Sequence, residues 1–300
     1  MNYLGEIAAL FTSLCWSASS VFFTRSGQLV GSVIVNRIRL VVALIYLVLA
    51  HWILGIPLLS NVEGYRWFWL SISGILGLVI GDAFLFQAFV LIGPRLSMLM
   101  MSMAPIIASI FGLLILSERL SRGQIVGILI TIFGISIVIL EGNGNAHLSQ
   151  KDLRPYLIGI LFGLGGACGQ ALGLITAKKG LTGNFPALSG TLIRMLAATV
   201  TMWSFTLLFG KTRQTLATIA QHPKSVFFIL IGAFIGPLLG VTASLIAIQH
   251  SQVGIASTLM ALPPVFLLPI GYFIFKERFG GMAILGTLLA IGGVALLFLV

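Results

Sequence analysis

The 300-residue chain is 58% hydrophobic and 8% charged, with a mean hydropathy of +1.12. That is too little polar residue to cover a water-facing surface, which excludes a soluble globular domain. The formal net charge of +10 is scattered between apolar runs, so it reads as loop charge beside anionic lipid head groups and excludes nucleic acid as a partner.

Ten apolar runs follow one another, each about as long as an α-helix needs to cross the hydrocarbon core. The first, Leu4 to Phe23, has Glu6 at its start and Trp16 near its centre in the stretch CWSASS. Nothing basic precedes it and no small-residue cleavage site follows a short apolar core, so it is expected to be a retained span and not a signal peptide. The second, Ser32 to Leu54, carries Arg37 near its start and Arg39 about two turns in. The third, Trp67 to Ile92, holds Gly77, Gly81 and, near its middle, Asp82. The fourth, Leu96 to Leu116, begins with Met98, Met100, Met101 and Met103 and is interrupted by Pro105. The fifth is Gly123 to Leu140.

A polar, Gly-Asn-rich stretch closed by proline, EGNGNAHLSQKDLRP, then divides the chain. It separates a first repeat, 1–141, from a second, 156–300, through a linker at 142–155. The sixth run, Tyr156 to Ala177, has Gln170 near its centre, and the seventh, Pro186 to Phe209, has Arg194 about two turns in. The eighth, Val226 to Ile248, repeats the glycine pair as Gly236 and Gly240. The ninth, Gln252 to Phe275, carries Thr258 and the Pro263-Pro264 pair, and the tenth is Gly280 to Leu299. The alternation of barrel strands is absent from these runs, so helices are expected throughout.

The two parts are copies. A shift of 159 lays Pro105, Gly112, Glu118, Arg119, Gly127 and Gly134 on Pro264, Gly271, Glu277, Arg278, Gly286 and Gly293, and Gly77 and Gly81 on Gly236 and Gly240. Weaker matches relate Cys15 to Cys168 at a shift of 153 and Arg39 to Arg194 at 155. Five spans per copy is an odd number, so the second copy enters from the opposite side. The expected fold is an all-α integral membrane protein with ten transmembrane helices in two inverted five-helix repeats.

The ten spans, the tryptophan of the first span, and the Glu-Arg hairpins LSERLSRGQIVG and FKERFGGMAILG resemble the drug/metabolite transporter superfamily of the EamA type. The resemblance covers the whole chain. It implies export or exchange of small metabolites through a cavity between the repeats by alternating access, with the termini in the cytoplasm. The basic residues imply the reverse orientation: nine lie in loops on the far side against five on the side of the termini. Glu6 stands too near the membrane surface to match the deep first-helix carboxylate of the superfamily's small multidrug members.

Charges inside spans are costly and mark functional candidates. Connectivity puts Arg39 roughly 9 Å from one surface and Asp82 roughly 14 Å from the same surface, at 1.5 Å per residue. Two readings stand side by side: a static ion pair, or recognition of a substrate carboxylate or phosphate by Arg39 and Arg194, with Asp82 meeting a substrate amine or carrying a coupling proton. Trp16, Met98, Met101, Pro105, Gln170, Thr258 and Pro264 complete the substrate-binding candidates. The prolines free carbonyls that must face a cavity or a protein partner. The methionines offer a polarizable lining or plain packing.

The Glu-Arg hairpins read first as structural corners at head-group depth, with the glutamate capping the next helix. The glycine pairs read as packing stripes. Each histidine reads as a surface or interfacial residue, and the two cysteines have no metal-ligand neighbours. The expected function is secondary transport of a small organic metabolite, amino-acid-like foremost, in the inner membrane of a prokaryote, without cofactor, metal or catalysis. A lipid-modifying membrane enzyme and a channel-like membrane protein are the alternatives. A catalytic motif such as His-Glu-x-x-His or Gly-x-Ser-x-Gly is missing from the sequence.

Overall fold

A computed structural model describes residues 3–59, 62–141, 153–183, 185–267 and 280–299. These are helical with short connections, and they contain no strand. Six continuous helices are long and apolar enough to cross a membrane: Leu4–Val30, Ser32–Leu54, Gly64–Gly93, Arg154–Gly180, Ala187–Leu208 and Pro223–His250. Shorter apolar helices, Ala104–Leu116, Arg122–Ile137, Val253–Leu267 and Ile284–Leu296, occupy the fourth, fifth, ninth and tenth spans. Most of the expected linker, together with Gly271, Glu277 and Arg278, lies outside the described residues.

Two connections shrink to a single glycine. Gly31 (φ 84°) joins the first and second spans, and Gly93 (φ 76°) turns the third into the fourth. A positive φ at each reverses the chain with no loop, and a side chain there would be strained.

The packing follows the duplication. The first span packs along the eighth, and its counterpart the sixth packs along the third; the second pairs with the seventh, the fourth with the ninth and the fifth with the tenth. A two-fold relation between inverted copies produces this set of contacts, each exchanged with itself or its mirror partner. The fifth and tenth spans show it at atomic scale. A Cβ added at Gly134 would meet Gly286 O at 2.5 Å, and one added at Gly293 would meet Gly127 O at 2.8 Å. Lipid supplies no hydrophobic drive between helices, so the missing side chains let the backbones touch. Gly77 and Gly81 do the same against the sixth span, where a Cβ at Gly173 would lie 3.0 Å from the Gly77 Cα.

The third and eighth spans each contain one wide, π-helical stretch, Gly74–Gly81 and Phe234–Val241. The fourth and ninth spans are each broken. The fourth stops at Met101 and resumes at Ala104, and the ninth stops at Met260 and resumes at residue 263. The breaks coincide at the shift of 159, because each helix restarts where the pyrrolidine of Pro105 or Pro264 removes an N–H donor.

A short helix that the hydropathy pattern did not signal, Thr212–Gln221, lies between the seventh and eighth spans. It anchors Arg37, whose Nη1 donates to Thr215 Oγ1 at 2.8 Å.

Candidate functional site

A cavity of about 880 Å³, counting its open mouth, lies between the repeats. Trp16 to Phe23 of the first span, Asp82 to Phe89 of the third, and Met98 and Met101 of the fourth carry it from mid-membrane into the half away from the termini. On the termini side the space is filled by an apolar cluster that includes Ala8, Ala9, Leu70, Leu181, Ile248 and Val253.

The polar centre is built by the wide turn of the third span. Asp82 N–H reaches Gly77 O and Val79 O and passes over Leu78 O. A backbone carbonyl bypassed in this way needs a partner in a medium without water. The second span supplies two: Asn36 Nδ2 and Arg39 Nη2 both donate to Leu78 O at 3.3 Å. Arg39 Nε also donates to Asn36 Oδ1 at 3.0 Å, and its Nη2 makes an ion pair with Asp82 Oδ2. Phe86 and Phe23 flank the guanidinium, with ring centroids 4.9 and 5.9 Å from its carbon. Asn36 and Arg39, at i and i+3, therefore share one face directed at the wide turn.

Arg194 approaches from the seventh span and is 2% exposed. Its Nη2 lies 3.2 Å from the point a Gly77 Cβ would occupy, so that glycine makes room for the guanidinium. Its Nε and Nη1 have no hydrogen-bond partner among the described residues. Asp82 lies near enough to act on Arg194 electrostatically, and it is the one acid in the lining among the described residues. The centre thus holds two cations and one anion.

Seven candidates from the sequence come together here: Trp16, Arg39, Asp82, Met98, Met101, Gln170 and Arg194 all line the cavity. Three do not. Pro105 is buried at the start of the restarted fourth helix, where its carbonyl accepts from Ser109 Oγ at 2.7 Å. Thr258 turns its hydroxyl back along its own helix to Gly254 O at 2.7 Å and is wholly buried. Pro264 is buried beside Pro263, and it is Pro263 that reaches the cavity, as Ala104 does in the first repeat. The residue before each duplicated proline thus lines the cavity in both repeats. Of the other methionines in the cluster, Met103 is 38% exposed and Met100 packs on Gly163 of the sixth span.

Sequence reasoning missed the aromatic part of the lining, Phe23, Phe86 and Phe89, and the hydroxyls of Ser19, Ser20, Ser244 and Ser257. Phe86 and Phe89 stand four and seven positions after Asp82, a helical-face spacing that was available as a signal. His51 also departs from expectation. It is wholly buried, its Nδ1 2.8 Å from Leu47 O and its Nε2 3.1 Å from Ser189 Oγ, and so joins the second and seventh spans.

The Glu-Arg corner of the first repeat does more than turn the chain. Glu118 Oε2 accepts from Val253 N–H at 2.8 Å, capping the first turn of the ninth span, and Oε1 meets Lys178 Nζ of the sixth at 2.5 Å. Lys178 also donates to Ser251 O at 2.7 Å, and Ser251 Oγ donates to Glu6 Oε1 at 2.9 Å. The expected cap of the next helix is made instead by Ser121 and Gln124, which exchange side-chain to backbone bonds of 3.1 and 2.8 Å. Among the described residues no group of three His, Cys, Asp or Glu side chains is arranged to hold a metal ion.

A model of the EamA-like transporter family matches residues 3–140 and 157–299. A crystal structure of another protein, 19% identical, superposes with a TM-score of 0.72 over 98% of this chain and 96% of its own, a likeness that speaks to the fold alone. No curated protein matches the sequence.

Proposed function

Since the chain belongs to the EamA-like transporter family, within the drug/metabolite transporter superfamily, we propose that it carries small organic metabolites with an acidic group and an apolar part, the class that takes in amino acids and their deaminated or N-acylated relatives, through the central cavity by alternating access. It works as an exporter or exchanger in the plasma membrane of a prokaryote. The observation that carries this reading is the cavity itself: a charged centre in mid-membrane, enclosed by spans of both repeats and blocked toward the termini by an apolar cluster. A site at the repeat interface, closed on one side in an inverted-repeat protein, has an alternative state of similar packing in which the other side closes. The glycine contacts between the third and sixth spans, and between the eighth span and Trp16 of the first, allow the helices to slide as that exchange requires.

Proton coupling enters through Asp82. Its carboxylate holds Arg39, and neutralising it releases the tie between the second and third spans. A carrier of this kind gives saturable counterflow in proteoliposomes, whereas a channel passes solute without saturation. A panel of amino acids, organic acids, sugars and nucleotides with no counterflow in any member overturns the reading.

A further inference from the structure

Resting on the cavity as the transport site, we propose that Arg194 is the docking point for a single anionic group of the substrate, and that the solute carried is a net anion with an apolar or aromatic body and not a zwitterion. The two arginines differ in what they have left to offer. Arg39 commits its Nε and Nη2 within the protein, to Asn36 Oδ1, Leu78 O and Asp82. Arg194 is equally buried, yet its Nε and Nη1 have no partner among the described residues.

A guanidinium with unused donors in a low-dielectric site is costly until an acceptor arrives. A carboxylate or phosphate, with two or more acceptor oxygens, suits the unused N–H donors of this planar guanidinium. Charge balance sets the count. Arg39 and Asp82 cancel, Arg194 is left over, and one negative charge on the ligand neutralises the centre.

The same balance disfavours a free ammonium group on the substrate. Asp82 is the one carboxylate in the described lining, and Arg39 already holds it. An amino acid would bring a cation with no free counter-charge, whereas its deaminated or N-acylated counterpart would not. Phe23, Phe86, Phe89, Met98 and Met260 supply the surface for the body of the solute.

The test is ligand-induced thermal protection of the purified protein by probes of one shape and different charge: 3-phenylpropanoate, N-acetylphenylalanine, phenyl phosphate, phenylalanine and phenylalanine amide. The carboxylate anions are expected to bind at least about tenfold more tightly than phenylalanine, and the amide least. Arg194→Gln removes the protection, and Arg194→Lys keeps part of it. Without ligand, Arg194→Gln melts no lower than the parent, because the variant removes a buried cation whose Nε and Nη1 make no hydrogen bond among the described residues. A purely structural arginine would melt lower instead.

Protection by phenyl phosphate alongside the carboxylates supports the site and extends it to phosphate esters. Equal protection by phenylalanine, unchanged anion binding in Arg194→Gln, or no protection by any anion overturns the proposal. Saturable counterflow of phenylalanine or a sugar that persists in Arg194→Gln would overturn it while leaving the carrier reading intact. Anion protection without counterflow of any solute would do the reverse.

Discussion

Glu118 and Lys178 meet at 2.5 Å between the fourth span of the first repeat and the sixth of the second. With the cap on Val253 N–H and the Lys178 bond to Ser251 O, they tie three spans on the face that bears the termini. The pair is largely shielded, with side chains 14% and 24% exposed, so it keeps more of its attraction than an open surface pair. Above it lies the apolar cluster that separates the cavity from this face. The clamp is therefore expected to hold one conformation of the carrier.

Glu118→Gln should loosen that face. The expected cost is about 1–2 kcal/mol, seen as a lower melting temperature, with Lys178→Met similar and the double variant less than additive because both remove one interaction. In a background without Cys15 and Cys168, a cysteine at Ser257, which lines the cavity, should react with an impermeant thiol reagent from the termini face in Glu118→Gln and stay protected in the parent. Equal protection in both would show that the pair does not hold the face shut.

The glycines divide into two kinds. A Cβ at Gly74 would collide with the carbonyl of Arg194 and lie 3.0 Å from its Cα, and backbone of a packed helix has little room to move. Gly74→Ala should cost about 2 kcal/mol or more and displace Arg194 from the cavity. Gly292 has nothing within 4 Å of an added Cβ, so Gly292→Ala should be neutral or gain about 0.5–1 kcal/mol from helix propensity. Thermal unfolding in one detergent measures both.

Asp82→Asn leaves Arg39 and Arg194 without their shared counter-charge. Removing one member of a buried pair costs about 3–5 kcal/mol, and Asp82→Asn/Arg39→Gln should recover part of it by removing the stranded cation. The same variant tests coupling. If Asp82 carries the proton, uptake by Asp82→Asn loses the pH dependence of the parent; pH dependence that survives removes Asp82 as the coupling group.

The duplication was legible because identical residues recur at one interval, and the spans because the bilayer imposes length and apolarity on each. The depth match of Arg39 and Asp82 followed from counting rise along two antiparallel helices. The rest depended on contacts between distant segments. No residue pattern marks Gly74–Gly81 as a wide turn, since the groups that meet the bypassed Leu78 carbonyl, Asn36 and Arg39, reach it from another helix. The partner of Glu118 was equally hidden: it caps a helix of the opposite repeat, while Ser121 and Gln124 serve the adjacent one. His51 looked interfacial by its position at a span end, and Ser189 of the seventh span draws it inside.

The central claim is carriage through the Arg39–Asp82–Arg194 cavity, and counterflow into proteoliposomes preloaded with N-acetylphenylalanine or 3-phenylpropanoate tests it most directly. Saturable uptake of the labelled anion is predicted for the parent, falling at least about tenfold in Arg194→Gln with the protein still folded. Uptake that neither saturates nor depends on Arg194 would contradict the account.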